Sequence, residues 1–359
     1  MSSVTLEGVS KRYGSVTGLK AIDLTIQEGE FITLLGPSGC GKTTTLRLIA
    51  GFIDPSEGRI LLGKDDVTKV APQNRKIGMV FQDYALFPHL SIFQNVAFPL
   101  RERKVPKDQI YKRVHELLEL VELPGVADRY PSELSGGQAQ RIAVARAVSY
   151  LPRVLLMDEP LGALDLKLRE TMQLEIRRIQ QELGITTVFV THDQTEAMSM
   201  SDRIVVMNNG QIEQIGSARE IYKAPRNTFV ADFIGKINLI DVTVIEISGQ
   251  EARLNMPGER SGIAPLTKNL ALGVNCLGVR PENVRFRNEG EDEALQNSFT
   301  GQIRELAFSG NLTTYFVDVG LNKPILVEQG PGFGRSSKQV GQTVTVYWDA
   351  ESALLLGSR

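Results

Sequence analysis

One stretch constrains the fold more than any other. Residues Gly36 to Thr43 read G-P-S-G-C-G-K-T and fit the pattern G-x-x-x-x-G-K-[ST]. That pattern carries meaning only between a buried strand and a helix, and both are expected here. F-I-T-L-L-G (Phe31 to Gly36) is a short apolar run ending in glycine. The next segment places Leu46, Ile49 and Ala50 at helical spacing, with Gly51 as a stop. In this setting the glycines let backbone amides close around phosphate oxygens. Lys42 reaches the β- and γ-phosphates, and the Thr43 hydroxyl ligates Mg2+. The alternative is a chance glycine-rich turn, and the flanking strand and helix argue against it.

The surrounding chain agrees with an α/β core. Ile110, Val114, Leu117, Leu118 and Val121 share one helical face. Leu168, Met172, Ile176, Ile179 and Leu183 share another, and Gly184 ends it. I-T-T-V-F-V-T-H then returns to a β-branched strand, so strand and helix alternate as they do around a parallel sheet. V-V-M-N-N-G-Q-I-E-Q-I-G reads as a hairpin turning at Asn209-Gly210. Near residue 238 the helical period stops. D-V-T-V-I-E-I, G-Q-I-R-E-L-A-F, T-T-Y-F-V-D-V-G, P-I-L-V-E-Q and T-V-T-V-Y-W are short strands separated by glycine, proline and asparagine, the pattern of a small barrel or sandwich. Arg287 to Ser298 reads as a solvated loop. The expected domains are therefore 1–238, α/β, and 239–359, all-β.

Further chemistry falls on the same expected sheet edge. V-L-L-M-D-E-P (Val154 to Pro160) is a buried strand with two acids at its C-terminal end, where open α/β sheets hold ligands. Asp158 is placed to hold a Mg2+ shell, and Glu159 to polarise a water attacking the γ-phosphate. Alone, such a pair most often starts a solvated loop; beside a phosphate loop that account weakens. His192 ends a strand and is placed to bond the γ-phosphate or the attacking water. Gln82 follows the strand K-I-G-M-V, and its amide is placed to complete the Mg2+ shell or sense the γ-phosphate. Structural roles at strand ends are the plain alternative for both. After Gln82, Tyr84, Leu86, Phe87, Pro88 and Leu90 crowd a non-periodic stretch, which marks either a protein contact or a plug at the base of the domain. Finally, L-S-G-G-Q-A-Q-R (Leu134 to Arg141) is a second candidate anion seat: a serine, two glycine amides and a helix N-terminus.

Composition narrows the partners. A net charge of -2 over 359 residues gives no electrostatic reason to expect nucleic acid or an anionic membrane. Only Cys40 and Cys276 are cysteines, which points away from a disulfide framework and toward a reducing compartment. The opening M-S-S-V-T-L-E-G has no apolar core of a signal peptide. No apolar run approaches the ~20 residues that span a bilayer.

In order, these motifs resemble the ATPase subunit of ATP-binding cassette (ABC) transporters, over nearly the whole chain. The set is Tyr13 in K-R-Y-G, the Gly36 to Thr43 loop, Gln82, L-S-G-G-Q, Asp158-Glu159, G-A-L-D (Gly162 to Asp165) and His192. L-S-G-G-Q is the most specific, since other phosphate-loop ATPases lack it. Ala139 stands where many importer subunits have glutamine. The resemblance implies a phosphate-loop nucleotide-binding domain with a helical subdomain at about residues 88–150. It implies ATP held by Tyr13, Gly36, Pro37, Ser38, Gly39, Cys40, Gly41, Lys42, Thr43, Thr44 and Gln82, and Mg2+ held by Thr43, Gln82 and Asp158, partly through water. Glu159 and His192 take the catalytic roles. Two cassettes pair head to tail, so Ser135, Gly136, Gly137, Gln138 and Asp165 serve the ATP of the partner chain.

The β-rich tail, with C-L-G-V-R-P-E-N-V centred on Arg280, Pro281 and Glu282, resembles importer subunits that end in an oligomer-binding-like (TOBE) domain. That implies a homodimer at the cytoplasmic face of the membrane. Two permease subunits would dock near Tyr84 to Leu90, with a solute-binding protein acting indirectly and no nucleic acid. F-V-A-D-F-I-G-K-I-N-L-I looks closest to polyamine importers; iron(III), aminoethylphosphonate and sugar importers share nearly the same cassette. A soluble ABC ATPase acting on ribosomes or DNA is the rival from another class. Its members carry two cassettes or a long coiled coil, and neither is here. A nucleotide kinase or GTPase would lack L-S-G-G-Q.

Overall fold

The computed structural model describes residues 2–162, 164–266, 273–287, 296–330 and 338–357. The chain divides into two compact units, Met1 to Glu220 and Ile221 to Arg359. The first unit opens with β1 (Val4–Tyr13), β2 (Val16–Ile26), β3 (Phe31–Leu35), α1 (Lys42–Ala50), β4 (Glu57–Leu62), β5 (Asp65–Asp66) and β6 (Ile77–Val80). Three helices follow: α2 (Ile92–Glu102), α3 (Lys107–Leu120) and α4 (Gly136–Val148). It then runs through β7 (Val154–Asp158), α5 (Leu166–Leu183), β8 (Thr186–Thr191), α6 (Gln194–Met200), β9 (Arg203–Asn208) and β10 (Gln211–Gly216).

The central sheet has the order β10-β9-β3-β8-β7-β6. From β9 to β6 every neighbour is parallel; β10 pairs antiparallel with β9 through the Asn209-Gly210 turn. Both turn residues have positive φ, 46° and 74°, as a two-residue turn of this hand needs. Successive residues of a strand point to opposite faces, and both faces here are dry. On β7, Leu155 and Met157 join one core cluster with residues of α2 to α5, while Val154 and Leu156 join another with α1 and strands β1, β2 and β4. Those last strands, with β5, form an antiparallel sheet in the order β2-β1-β4-β5, an element the alternation of the sequence does not announce.

Helix α7 (Ala218–Lys223) straddles the division between the units, and α8 (Thr228–Phe233) follows. The second unit continues with β11 (Asn238–Ser248), β12 (Glu251–Met256), β13 (Arg260–Pro265), β14 (Gly273–Val279), β15 (Arg285–Phe286), β16 (Ser298–Phe308), β17 (Thr313–Asp318), β18 (Ile325–Gln329), β19 (Thr343–Tyr347) and β20 (Ala353–Gly357). They build two five-stranded antiparallel sheets, β13-β12-β11-β14-β20 and β15-β19-β16-β17-β18, over one core that contains Phe299, Val317 and Trp348. Arg280 ties the helices to these strands: it donates to the carbonyls of Ala231, Lys236 and Tyr222 and stacks 4.2 Å from the Tyr222 ring centroid. The Tyr222 hydroxyl donates to Glu282; burial, then that carboxylate, pushes its pKa up to about 12. Of the expected loop from Arg287 to Ser298, residues 288–295 lie outside the described residues.

Candidate functional site

Strand β3 is buried along its whole length, so the loop after it starts from the middle of the sheet. Gly36 cannot be replaced there: a Cβ would lie 2.3 Å from the Met207 carbonyl oxygen and 2.6 Å from Cys40 Sγ. Gly39 and Gly41 have φ of 78° and 107°, open to glycine and strained for other residues. The turn is pinned from behind, because the Gly210 amide donates to the Cys40 carbonyl at 3.1 Å. Lys42 starts α1 and is 5% exposed; its ammonium donates to the carbonyls of Gly36 (2.7 Å) and Pro37 (3.1 Å). The loop thus wraps around the lysine, and Pro37, Ser38 and Thr44 lie on the same continuous stretch. Burial holds the Cys40 thiol above its usual range, so it sits there as a neutral group.

Two neighbouring strands bring the acids and the histidine to this loop. Thr43 Oγ1 donates to Asp158 Oδ1 at 3.3 Å. Burial raises the Asp158 carboxyl above the usual carboxylate range, against the bond from Thr43 and the charges of Arg47 and Lys42. A partly dehydrated carboxylate beside a hydroxyl is a donor set suited to a hard divalent cation that takes its other ligands from phosphate and water. Among the described residues no three His, Cys, Asp or Glu side chains cluster to hold a metal by themselves.

Glu159 has φ of 45°, left-handed for a residue with a Cβ. Its amide donates to the Val190 carbonyl at 3.0 Å on β8, which carries His192 just beyond its end. The two side chains meet, His192 Nδ1 lying 3.2 Å from Glu159 Oε2. Gln82 is on the same side: a Cβ on Gly162 would lie 3.5 Å from the Glu159 carbonyl and 3.8 Å from Gln82 Nε2. Tyr13 is half-exposed and approaches the loop in two steps. Its ring lies 2.7 Å from where a Cβ on Gly18 would be, and the Gly18 carbonyl lies 3.3 Å from the corresponding point on Gly41.

The second seat is built elsewhere on the unit. Ser135 caps α4: its Oγ accepts from the Gln138 amide, and Gln138 Oε1 accepts from the Ser135 amide at 3.0 Å. The amides of Gly136 and Gly137 belong to the first turn, where no helical carbonyl reaches them. Both glycines lie against the segment after β7, where Cβ atoms would meet Leu164 at 3.4 Å and Leu168 at 2.9 Å. Asp165 caps α5, accepting from the Leu168 amide at 3.1 Å. Among the described residues no hydrogen bond or ion pair joins Ser135–Gln138 to the phosphate loop. The residues expected around ATP therefore form two groups: one on the loop with Asp158, Glu159, His192 and Gln82, and one at the N-terminus of α4 with Asp165. Ala163 of the same motif lies outside the described residues.

The stretch after Gln82 is strapped down by side chains outside the sequence motifs. Tyr84 and Ala85 are both left-handed, with φ of 61° and 46°. Arg146 on α4 donates to both their carbonyls, at 2.9 and 2.7 Å. Asn95 on α2 takes the Phe87 amide and donates to the carbonyls of Phe87, Leu90 and Ser91. Arg169 joins the Leu164 carbonyl to Asp193, next to His192. Only Arg146 left a trace in the sequence, as a lone charge in the apolar run Ile142 to Val148.

Comparison with known proteins adds to this geometry. Residues 19–162 match the family model described as "ABC transporter", and residues 277–356 the one described as "TOBE domain". A protein of Nitrosospira multiformis is 44% identical over 99% of this chain and 99% of its own, and one of Nitrosomonas eutropha is 46% identical over 100% of both. Each is named as a spermidine/putrescine import ATP-binding protein. Among solved structures, a component of the ABC transporter complex cbiONQ from Clostridium perfringens is 32% identical, with a TM-score of 0.58 over 61% of this chain and 89% of its own. A dimeric ATP-binding cassette in a post-hydrolysis state, bound to ADP and Pi, is 35% identical, with a TM-score of 0.54 over 60% and 99%.

Proposed function

Because this chain belongs to the ABC transporter family, as an ATP-hydrolysing import subunit with a TOBE domain, we propose that it works as a head-to-tail homodimer that closes on two ATP to drive polyamine uptake. What supports the dimer is that, among the described residues, no hydrogen bond or ion pair joins the two anion seats of one chain. A phosphate held by the Gly36–Thr43 loop needs its second seat from another copy. On closure, the Gly136 and Gly137 amides, Ser135 and the α4 dipole meet the γ-phosphate. Gln138 and Asp165 flank it from the same chain.

Mg2+ would be held by Thr43, Asp158 and Gln82, and supplies charge neutralisation of the phosphates. Glu159 takes a proton from the attacking water. His192, bonded to that carboxylate, fixes its orientation and reaches the γ-phosphate. Tyr13 stacks the adenine. The permease subunits dock on Tyr84 to Leu90 from the membrane side, which places this chain at the cytoplasmic face. Spermidine or putrescine is the substrate class carried by the names of the near-full-length relatives.

The test uses chains that each carry Glu159→Gln to block turnover. One adds Lys42→Ala, the other Gly136→Asp, an exposed position where a Cβ meets only Leu164 at 3.4 Å and a carboxylate stands where the γ-phosphate docks. Each homodimer has two broken sites. In a mixed dimer one site combines both lesions, and the other joins an intact loop to an intact Leu134–Gln138 turn. The mixed dimer is expected to retain ATP on gel filtration above either parent. No retention above the parents, with exchange verified, excludes the head-to-tail arrangement.

A further inference from the structure

The pairing of β1 with β2 breaks next to the phosphate loop. Between Lys11 and Arg12 on β1, the partner on β2 jumps from Leu19 to Thr17. Gly18 between them is an extra, unpaired residue, a β-bulge of the kind that re-aims side chains beside binding sites. Bulges that need glycine for its backbone hold it in the left-handed region. The φ of Gly18 lies outside that region, so its backbone makes no demand for glycine.

The demand comes from a neighbouring ring. A Cβ on Gly18 would stand 2.7 Å from Cε2 and 2.9 Å from Cδ2 of Tyr13, against about 3.5–4.0 Å for carbons in good contact. Tyr13 ends β1 and is 48% exposed. Left to itself, such a side chain samples several rotamers, and ordering it on binding costs affinity. Here it is already placed. Its ring lies against bare backbone at the bulge. The Lys11 ammonium stands over the ring, 5.4 Å from its centroid, and donates to the Asp54 carbonyl at 2.6 Å.

The same residue also faces the phosphate cradle. The Gly18 carbonyl oxygen lies 3.3 Å from the point where a Cβ on Gly41 would be, and 3.5 Å from the corresponding point on Gly210. Backbone bonds lock these pieces together. The Lys20 amide donates to the Gly210 carbonyl at 2.8 Å, and the Gly210 amide to the Cys40 carbonyl at 3.1 Å. From ring to phosphate loop the connection runs through backbone, with no flexible side chain between.

We infer, resting on the proposed role of Tyr13 as the adenine platform, that Gly18 is a positioning residue for the nucleobase. Its missing side chain seats the Tyr13 ring at a set span from the Gly36–Thr43 loop, so a nucleotide held by its phosphates meets a stacking face already in place. Gly18 acts through the ring and touches no nucleotide itself. In Gly18→Ala the ring, at the end of an exposed side chain, swings away from the new methyl group, while strand and loop stay where they are.

The test is calorimetry on the full chain with Mg2+-ADP and with Mg2+-pyrophosphate, one carrying a base and the other none. Neither brings a γ-phosphate, so dimer closure does not enter. Removing an aromatic ring on which a base stacks costs about 5–150-fold in affinity. Tyr13→Ala should lose ADP affinity within that range and keep its pyrophosphate affinity. Gly18→Ala should lose at least about fivefold for ADP, with pyrophosphate affinity unchanged. Added to Tyr13→Ala, Gly18→Ala should cost nothing further, since no ring remains to be displaced.

Parental ADP affinity in Gly18→Ala, where Tyr13→Ala has lost it, overturns the inference. So does a further loss from Gly18→Ala when the ring is absent. Weakened pyrophosphate binding or a lost cooperative melt in Gly18→Ala would mean that the glycine serves the loop or the strand, which also overturns it. Failure of the platform reading shows separately, as parental ADP affinity in Tyr13→Ala itself.

Discussion

Two substitutions at Glu159 separate its chemistry from its conformation. Glu159→Gln keeps the size of the side chain and an oxygen to face His192, but it cannot accept a proton from water. General-base catalysis contributes 10²–10⁴-fold, so the barrier rises by about 3–5 kcal/mol. Stability should hardly change, because the His192 contact is to a ring 62% exposed and exposed pairs contribute little. Glu159→Gly removes the same base but answers the backbone. At φ of 45° a residue with a Cβ carries a strain of about 1–2 kcal/mol. Glycine loses about 0.5–1 kcal/mol of that through the entropy of the unfolded chain. The net gain lies between zero and about 1.5 kcal/mol, at roughly 2–4 °C of melting temperature per kcal/mol for a unit this size. The assays are phosphate release and scanning calorimetry on the full chain without nucleotide. Both variants should lose hydrolysis, and Glu159→Gly should melt higher than its parent. More than about a tenth of parental hydrolysis in Glu159→Gln would remove the residue from the role of base. A Glu159→Gly chain that melts lower than its parent would refute the claim that this position is strained.

Gly36→Ala puts a Cβ 2.3 Å from a strand carbonyl that has no room to retreat; a loss of at least about 1–3 kcal/mol in stability and loss of ATP binding by calorimetry are expected. Gly125→Ala, which meets nothing within 4 Å, should be neutral in both. Asp158→Asn should raise the melting temperature of the nucleotide-free chain at neutral pH. The raised pKa of Asp158 means that its contribution to stability is present below the unfolded pKa and lost as pH rises through the folded one. The gain from Asn should therefore shrink as pH falls into and below the ordinary carboxylate range, and a gain that grows toward acid would contradict the desolvated site.

The parallel sheet was legible because its strands are continuous apolar runs and its helices keep one apolar face. Both signals are local, and both cores sit where they point. The antiparallel sheet was not legible. β1 buries Val4, Leu6 and Val9, and its register to β2 slips beyond Leu6, next to a left-handed Gly8, so alternation breaks in mid-strand. In the second unit, β13 carries Gly262 and Pro265, residues that read as a turn and are tolerated on a strand at the sheet edge. Within the site, the phosphate loop announced itself through residue types that few other structures need. Arg146 and Asn95 did not, because an arginine or asparagine bonded to carbonyls of another element has no periodicity or spacing of its own. The Arg146 bonds span 61 and 62 residues.

The division of one chain into two half-sites also fixes how the proposed switch can be driven. A ligand shifts an equilibrium only by its differential affinity for the two states. In the proposed dimer ATP and ADP differ in what would meet the α4 N-terminus, namely the γ-phosphate against the Gly136 and Gly137 amides. Hydrogen bonds to a charged group contribute about 1.5–3 kcal/mol each. At the lower figure, two amides at one site supply about 3 kcal/mol and both sites about 6 kcal/mol. Moving a dimer from 1:99 open-favoured to 99:1 closed takes about 5.5 kcal/mol. One filled site falls short, bringing such a dimer only near an even balance, while two suffice. Near-complete closure therefore takes both nucleotides. A single filled site keeps such a dimer closed about half the time, enough for a one-site mixed dimer to retain ATP above its parents, and cleavage of either γ-phosphate returns the dimer to the range where it opens. A chain with both seats on a single site would gain the same contacts, but it would have no second body to move.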